Sequence, residues 1–338
     1  MLPNLPHPTG GQTVTYSPAY TLVPTYECFN RCTYCNFRVN PGQDTWLSLE
    51  KTAQRLQTLS EQGVIEILIL SGEVHPQSSR REAWFQHIFD LCQLALDSGF
   101  LPHTNVGPLS FEEMAQLKQV NVSMGLMVEQ VTPALLETVH RHAPSKVPAV
   151  RLQQLAWAGE LRIPFTTGLL LGIGETSENW VETLVAIAHL HGTYGHIQEV
   201  ILQPHSPGRS QVHLGQPFPL EQLIQVVQLA REHLPDSVTL QIPPNLIDDK
   251  TLLACLASGV RDLGGIGPTD EVNPDYPHPT ATTLAHRIQP KNWHLRPRLP
   301  IYPQYDSWLP TPLQEQVRHW RHQLNRLHTP PGIPAQSG

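Results

Sequence analysis

Residues 47–73 read LSLEKTAQRLQTLSEQGVIEILILSGE, and this stretch decides the fold. In Leu47–Gln62, Leu49, Ala53, Leu56 and Leu59 recur at helical spacing, a stripe that faces a core far more often than a cofactor. Gly63 follows, where a left-handed C-cap is wanted. Val64–Leu70 is then a short apolar run rich in branched residues, and Ser71-Gly72-Glu73 ends it with a turn. Period alone does not prove that so short a run is a strand, so the flanks decide. The unit is helix, glycine, strand.

The same unit recurs in both directions. Strand candidates are Tyr20–Pro24, Phe100–Thr104, Val122–Val128, Phe165–Leu171, His196–Gln203, Val238–Ile242 and Val260–Gly264, nearly all with Gly or Pro beside them. Asn179–Leu190 sets Trp180, Leu184 and Ile187 on one helical face, and Pro219–Leu234 does the same with Leu220, Leu223, Val227 and Ala230. Gly99 stands after another helix as Gly63 does. Alternation of this kind implies a parallel α/β sheet. Eight units in roughly 270 residues predict a closed (β/α)8 TIM-like barrel, with an open six-unit barrel and an accessory region as the alternative. Reactive groups then belong at the C-terminal ends of the strands. The expected layout is an N-terminal extension at 1–14, a barrel over 15–325 closed by its C-terminal segment, and a flexible tail at 326–338.

Composition narrows the function classes. The chain has 338 residues, a formal charge of −7, 40% hydrophobic and 15% charged residues. That is enough apolar material for a large core, and the acid excess argues against a nucleic-acid binder with a broad basic face. No run of about 18 apolar residues predicts a membrane span, and the start, MLPNLPHPTGG, lacks a basic stretch followed by an apolar one. The expected location is cytoplasmic. The 33 prolines and 18 histidines carry no specific functional message.

Five cysteines, an odd number, fit a reducing compartment better than a disulfide framework. Cys92 and Cys255 lie in helical-looking stretches and read as core. Cys28, Cys32 and Cys35 have the spacing C-x3-C-x2-C directly after the first strand candidate. Thiolates are soft ligands that select zinc, copper(I) or iron–sulfur clusters. Structural zinc usually takes four ligands in two pairs, so a zinc site here needs a distant His75 or His205. A 4Fe–4S cluster held by three thiolates leaves one iron open, which suits the amine and carboxylate of S-adenosylmethionine.

With Tyr34 as the aromatic residue, C-x3-C-x-aromatic-C resembles the signature of the radical S-adenosylmethionine superfamily. The resemblance implies that a reduced cluster cleaves S-adenosylmethionine to methionine and a 5′-deoxyadenosyl radical, which takes hydrogen from a substrate. It also implies roles for other residues. Gly72 and Glu73 stand where the superfamily receives the methionine amine, although Ser71 replaces a usual Gly; a turn Gly and a solvated Glu read the same way. Glu129, at the end of the fourth strand candidate, is placed to bind the ribose hydroxyls, or starts a helix on the surface. Gly168, Leu170 and Gly172 resemble the superfamily's G-x-I-x-G-x-x-E segment, with Leu170 in place of Ile. His103 and Asn105 after the third strand, and Gln203 and His205 after the sixth, are polar candidates for the substrate; each also reads as a structural residue.

The likeness extends further. TYECFNRCTYCNFR (25–38), GLMVEQ (125–130), VHRHAPSKVPAVRL (139–152), AGELRIPFTTGLLLGIGET (158–176), HGTYGHIQEVILQPHSPG (191–208), GVRDLGGIGPTDEVNPDYPHP (259–279) and RLPIYPQY (298–305) together resemble the 7,8-didemethyl-8-hydroxy-5-deazariboflavin synthase family, CofG-type subunit. Leu263 and His278 depart from it, at positions where Trp is usual. The resemblance implies an ammonia-lyase of deazaflavin coenzyme biosynthesis. Its substrate would be 5-amino-5-(4-hydroxybenzyl)-6-(D-ribitylimino)-5,6-dihydrouracil, supplied by a CofH-type companion. S-adenosylmethionine would be consumed, and ferredoxin or flavodoxin would supply the electron. The companion subunit itself, a menaquinone-pathway relative and a non-catalytic metal-binding barrel are the alternatives.

Overall fold

The structure, a computed structural model, describes residues 11–211 and 215–328. Its opening unit shows how the rest is built. Ser48 caps α1 (Leu49–Leu59) by accepting the Lys51 N–H at 3.2 Å. Gly63 and Gly99 carry φ of 76° and 89°, conformations that cost a side chain but not glycine. Behind them start β2 (Glu66–Leu70) and β3 (Leu101–Asn105), separated by α2 (Arg81–Asp97).

The remaining elements are β1 (Gln12–Leu22), α3 (Phe111–Leu117), β4 (Ser123–Gly125), α4 (Pro148–Glu160), β5 (Phe165–Leu171), α5 (Ser177–Tyr194), β6 (Ile197–Pro204), α6 (Leu220–His233), β7 (Thr239–Gln241), α7 (Asp249–Ala257), β8 (Asp262–Ile266), α8 (Ala281–Ile288), β9 (Trp293–Pro297) and α9 (Thr311–His328). Strands β1 to β8 pair in sequence order, all parallel, and β1 pairs with β2 to close the ring. The sheet is therefore a closed eight-stranded barrel, and the open six-unit alternative is excluded.

A ninth strand lies outside the sequence expectation. Gln12–Tyr16 pair with Trp293–Pro297, while Ala19–Leu22 pair with β2. This pairing moves the expected boundary at residue 14. Residues 12–14 belong to β1 and Val14 is fully buried; residues 1–10 lie outside the described residues. The expected tail at 326–338 is corrected in the same way, because α9 continues to His328; 329–338 lie outside the described residues.

Side chains alternate along each strand. On β2, Ile67 and Ile69 are fully buried in the core beneath the helices, whereas Glu66, Leu68 and Leu70 face the barrel interior. A second apolar cluster joins Ile65, Leu101 and Val122, at the starts of β2 to β4, to Leu299, Ile301, Tyr305, Leu313 and Val317. The segment after β9 and the helix α9 thus close the N-terminal end of the barrel, and the C-terminal end stays open for a site.

Candidate functional site

The three-cysteine loop leaves β1 at Leu22 and is held by its backbone. Cys28 N–H bonds to Val39 O at 3.1 Å and Phe29 N–H to Glu73 O at 3.0 Å. Arg31 N–H reaches His142 O at 2.7 Å and Thr33 N–H reaches Val139 O at 3.1 Å. The loop is thereby tied to the segments that follow β2 and β4. Glu27 is buried and accepts Arg80 at 2.7 Å and the Gly42 N–H at 2.7 Å. Burial works to raise its carboxyl, but these donors outweigh it and hold it below the usual range.

All three thiols are free. Burial pushes Cys28 up to about 11 and Cys32 up to about 12, so both stay protonated at neutral pH until a metal takes the proton's place. Asn30 Nδ2 donates to Cys28 Sγ at 3.7 Å, and Lys146 is the cation nearest in effect to Cys32. Among the described residues, no three His, Cys, Asp or Glu side chains are gathered at the spacing that holds a single ion. His205 instead contacts Gln211 and Gln216, and His75 Nδ1 accepts the Gln77 N–H. The donor set of three soft thiols on one loop, with N–H donors and a buried cation beside them, fits an anionic iron–sulfur cluster.

Tyr34 and Cys35 line a cavity of about 360 Å³ that runs into the barrel, a volume suited to small molecules. The Tyr34 hydroxyl meets His140 Nε2 at 2.9 Å, and its ring packs on Leu170, Leu135 and Ile173. Burial, helped by Lys146, lowers the His140 imidazole to about 4 and keeps it neutral.

Glu73 lines the same cavity, accepting Asn30 Nδ2 at 2.8 Å and Arg151 at 3.2 Å. Arg151 is 2% exposed and also donates to Ser145 O and Met127 O. Glu129 lies four residues beyond β4, with φ of 66° and a bridge to Leu169. It is buried rather than on the surface, and its Oε1 accepts Lys146 at 2.5 Å. Burial acts to raise its carboxyl, but Lys146 and Arg151 prevail and hold it low; Glu129 in turn holds the Lys146 ammonium high. Lys146, Arg151 and Asn30 were not among the sequence candidates. The run VHRHAPSKVPAVRL contains two of them and was their one visible signal.

The strand boundaries correct several placements. His103 and Asn105 lie within β3 and Gln203 within β6, not after them; His205 does follow β6. All four line the cavity, His103 deepest along its strand. Leu170 also lines it, whereas Gly72, Gly168 and Gly172 do not. A Cβ at Gly72 would lie 2.1 Å from Glu27 O, and one at Gly168 2.4 Å from Ile201 O, so these glycines let protein backbone pass protein backbone. Gly172 takes φ of 88° at the turn where Glu175 accepts its N–H at 2.6 Å.

The floor carries charge. Arg298, after β9, makes two bonds to Asp262 at 2.6 and 2.8 Å and one to Glu199 at 2.5 Å. Glu66 faces the same space. Three carboxyls thus confront one guanidinium on buried side chains, and burial raises Glu199 to about 8 and Glu66 above its usual range.

A sequence profile of the Radical SAM superfamily matches residues 22–187, which include the three cysteines, Glu73, Glu129 and Lys146. The 7,8-didemethyl-8-hydroxy-5-deazariboflavin synthase of Trichormus variabilis (strain ATCC 29413 / PCC 7937) is 64% identical over 320 residues, 94% of each chain. The chain belongs to this radical SAM synthase family. The family's synthase from Thermosynechococcus vestitus (strain NIES-2133 / IAM M-273 / BP-1) is 61% identical over 310 residues, covering 91% of this chain and 98% of its own. Among solved structures, the FeFe-hydrogenase maturase HydG from Carboxydothermus hydrogenoformans superposes with a TM-score of 0.67 at 17% identity, over 94% of this chain and 76% of that one. Methylornithine synthase (PylB) does so with 0.65 at 13%, over 89% and 87%. These two share the fold. Deazaflavin biosynthesis is the setting of the synthase family, and its superfamily implies the cluster and S-adenosylmethionine. Among the described residues no helix is long and apolar enough to cross a membrane.

Proposed function

We propose that the enzyme is an ammonia-lyase that converts 5-amino-5-(4-hydroxybenzyl)-6-(D-ribitylimino)-5,6-dihydrouracil to 7,8-didemethyl-8-hydroxy-5-deazariboflavin, with ring closure and loss of ammonia. The observation that carries this reading is the shared cavity: Cys35 and Tyr34 of the cysteine loop open onto the same space as Glu73, Glu129 and the polar interior of the barrel. Cys28, Cys32 and Cys35 would hold a 4Fe–4S cluster. When bound with S-adenosylmethionine, that cluster supplies a 5′-deoxyadenosyl radical for hydrogen abstraction.

The chain's own residues bind and shield. Glu73, fixed by Asn30 and Arg151, would accept the methionine ammonium. Glu129 is engaged by Lys146 through Oε1 and keeps Oε2 for a ribose hydroxyl. Leu68, Leu70, Met127, Leu170 and Ile201 form an apolar wall that excludes water from the reacting region. Asn105, Gln203, Gln241 and Asn245 offer hydrogen bonds of the kind a ribityl chain and a pyrimidine require. A CofH-type companion as source of the substrate, and ferredoxin or flavodoxin as reductant, complete the proposal.

The test is anaerobic incubation of the reduced, cluster-loaded protein with the purified adduct and S-adenosylmethionine. Deazaflavin fluorescence should appear together with deoxyadenosine and ammonia. Deoxyadenosine without fluorescence would overturn the substrate, and a colourless protein containing zinc would overturn the cluster.

A further inference from the structure

We infer that His103 presents a bare Nε2 inside the barrel as the fixed hydrogen-bond acceptor for an N–H or phenolic O–H of the substrate. The inference rests on the substrate class proposed above and names the residue that orients it.

Ser123 Oγ lies 2.5 Å from Pro300 O and 2.7 Å from His103 Nδ1. A carbonyl only accepts, and a hydroxyl has one proton to give. Ser123 therefore donates to Pro300, and its oxygen accepts from His103. That places the imidazole proton on Nδ1 and leaves a lone pair on Nε2. The chain from Pro300 through Ser123 is buried, and it fixes the ring as well as the tautomer.

The other side of the ring is built for access. His103 is 8% exposed, and that exposure is to the cavity. Its register partner on β4 is Ser123, and Gly125 lies two residues further along that strand; a Cβ at Gly125 would stand 2.9 Å from Nε2 and crowd the lone pair. Burial, and then the charge of Arg298, lower the imidazole to about 3, so Nε2 is not consumed by a proton at neutral pH. Such a group holds a donor in place and does not store a proton. The proposed substrate brings both donor types, on its phenol and its pyrimidine.

Two variants separate acceptor from scaffold. His103→Asn keeps an N–H near Ser123 and removes the acceptor; His103→Gln reaches the Nε2 position with an amide oxygen. In oxidised, cluster-loaded enzyme without reductant, binding of the adduct is read by calorimetry, and KM is read in the reduced enzyme. His103→Asn should weaken adduct binding and raise KM by about 10- to 100-fold, with iron content and S-adenosylmethionine affinity unchanged. His103→Gln should stay much closer to wild type. An adduct methylated on the phenol oxygen, or on the ring nitrogen, should erase the difference between wild type and His103→Asn for whichever donor meets Nε2. Wild-type affinity in an iron-replete His103→Asn, or equal loss in both variants, overturns the inference. If His103→Asn fails to retain iron, Gly125→Ala decides, and unchanged adduct affinity there overturns it too. Failure of the wild-type enzyme to form deazaflavin would instead sink the substrate assignment itself.

Discussion

Glu199→Gln tests the electrostatics of the cavity floor. Glu199 is 3% exposed and accepts Arg298, Tyr302 at 2.9 Å and Thr166 at 3.1 Å. Arg298 is already committed to Asp262 through two bonds, so it does not fully compensate a second and third carboxylate. Burial, only partly opposed by Arg298, raises Glu199 to about 8, against about 4.3 in an unfolded chain. The folded protein then holds a proton that the unfolded chain has released. Stability is fully present below the unfolded value and falls as pH rises toward about 8. The slope is about 1.4 kcal/mol per pH unit. Between about pH 5.5 and 7.5 wild type should lose about 2–3 kcal/mol relative to Glu199→Gln, which has no proton to lose and keeps an acceptor for Arg298 and Tyr302. Urea unfolding of both proteins at matched pH gives the difference, and other titrating groups cancel between them. A difference constant within about 0.5 kcal/mol over that window would refute a neutral Glu199. The same series with Glu66→Gln shows whether the proton sits there instead.

Cys28→Ala, Cys32→Ala and Cys35→Ala should each abolish iron retention and deoxyadenosine formation, measured by colorimetric iron and chromatography; turnover surviving in all three would remove the cluster from the loop. Cys92→Ala and Cys255→Ala, both fully buried, should keep their iron and cost about 1 kcal/mol in urea unfolding. Glu73→Gln should weaken S-adenosylmethionine binding about tenfold by calorimetry, because a charge-assisted bond becomes a neutral one; unchanged affinity removes Glu73 from the amine site. Gly168→Ala should lose about 1–3 kcal/mol of stability from the clash with Ile201 O, at normal cofactor affinity; the reverse pattern would restore Gly168 to the binding surface.

The barrel was legible because its signal is local and repeated. Phe165–Leu171 coincides with β5 to the residue, bounded by Pro164 and Gly172. The strand Trp293–Pro297 escaped because WHLRP is short and half polar. Its reason to exist is the early part of β1, 281 residues away, and nothing local announces that pairing. The expected Phe100–Thr104 differs from β3 by one residue at each end and already contains His103, so its placement after the strand did not follow from the strand's ends. Its orientation survived the error. Side chains alternate with period two, so His103 and Asn105 share a face wherever the strand is said to end.

The site divides along the same line. Three cysteines in eight residues reveal themselves, since ligands on one loop must be neighbours in sequence. Ion pairs carry no such obligation. Lys146 meets Glu129 across 17 residues and Arg151 meets Glu73 across 78. Each cation looks like any surface charge until the barrel folds. Glycine is ambiguous for a different reason. Gly168 stands in a segment that resembles a superfamily motif, and the close approach its missing Cβ permits is that of β6, its neighbouring strand. A missing side chain shows that something comes close without showing what, whereas a thiol triad states its own chemistry. The site is therefore legible in the sequence where the residue type itself selects the partner, and hidden where only the fold does.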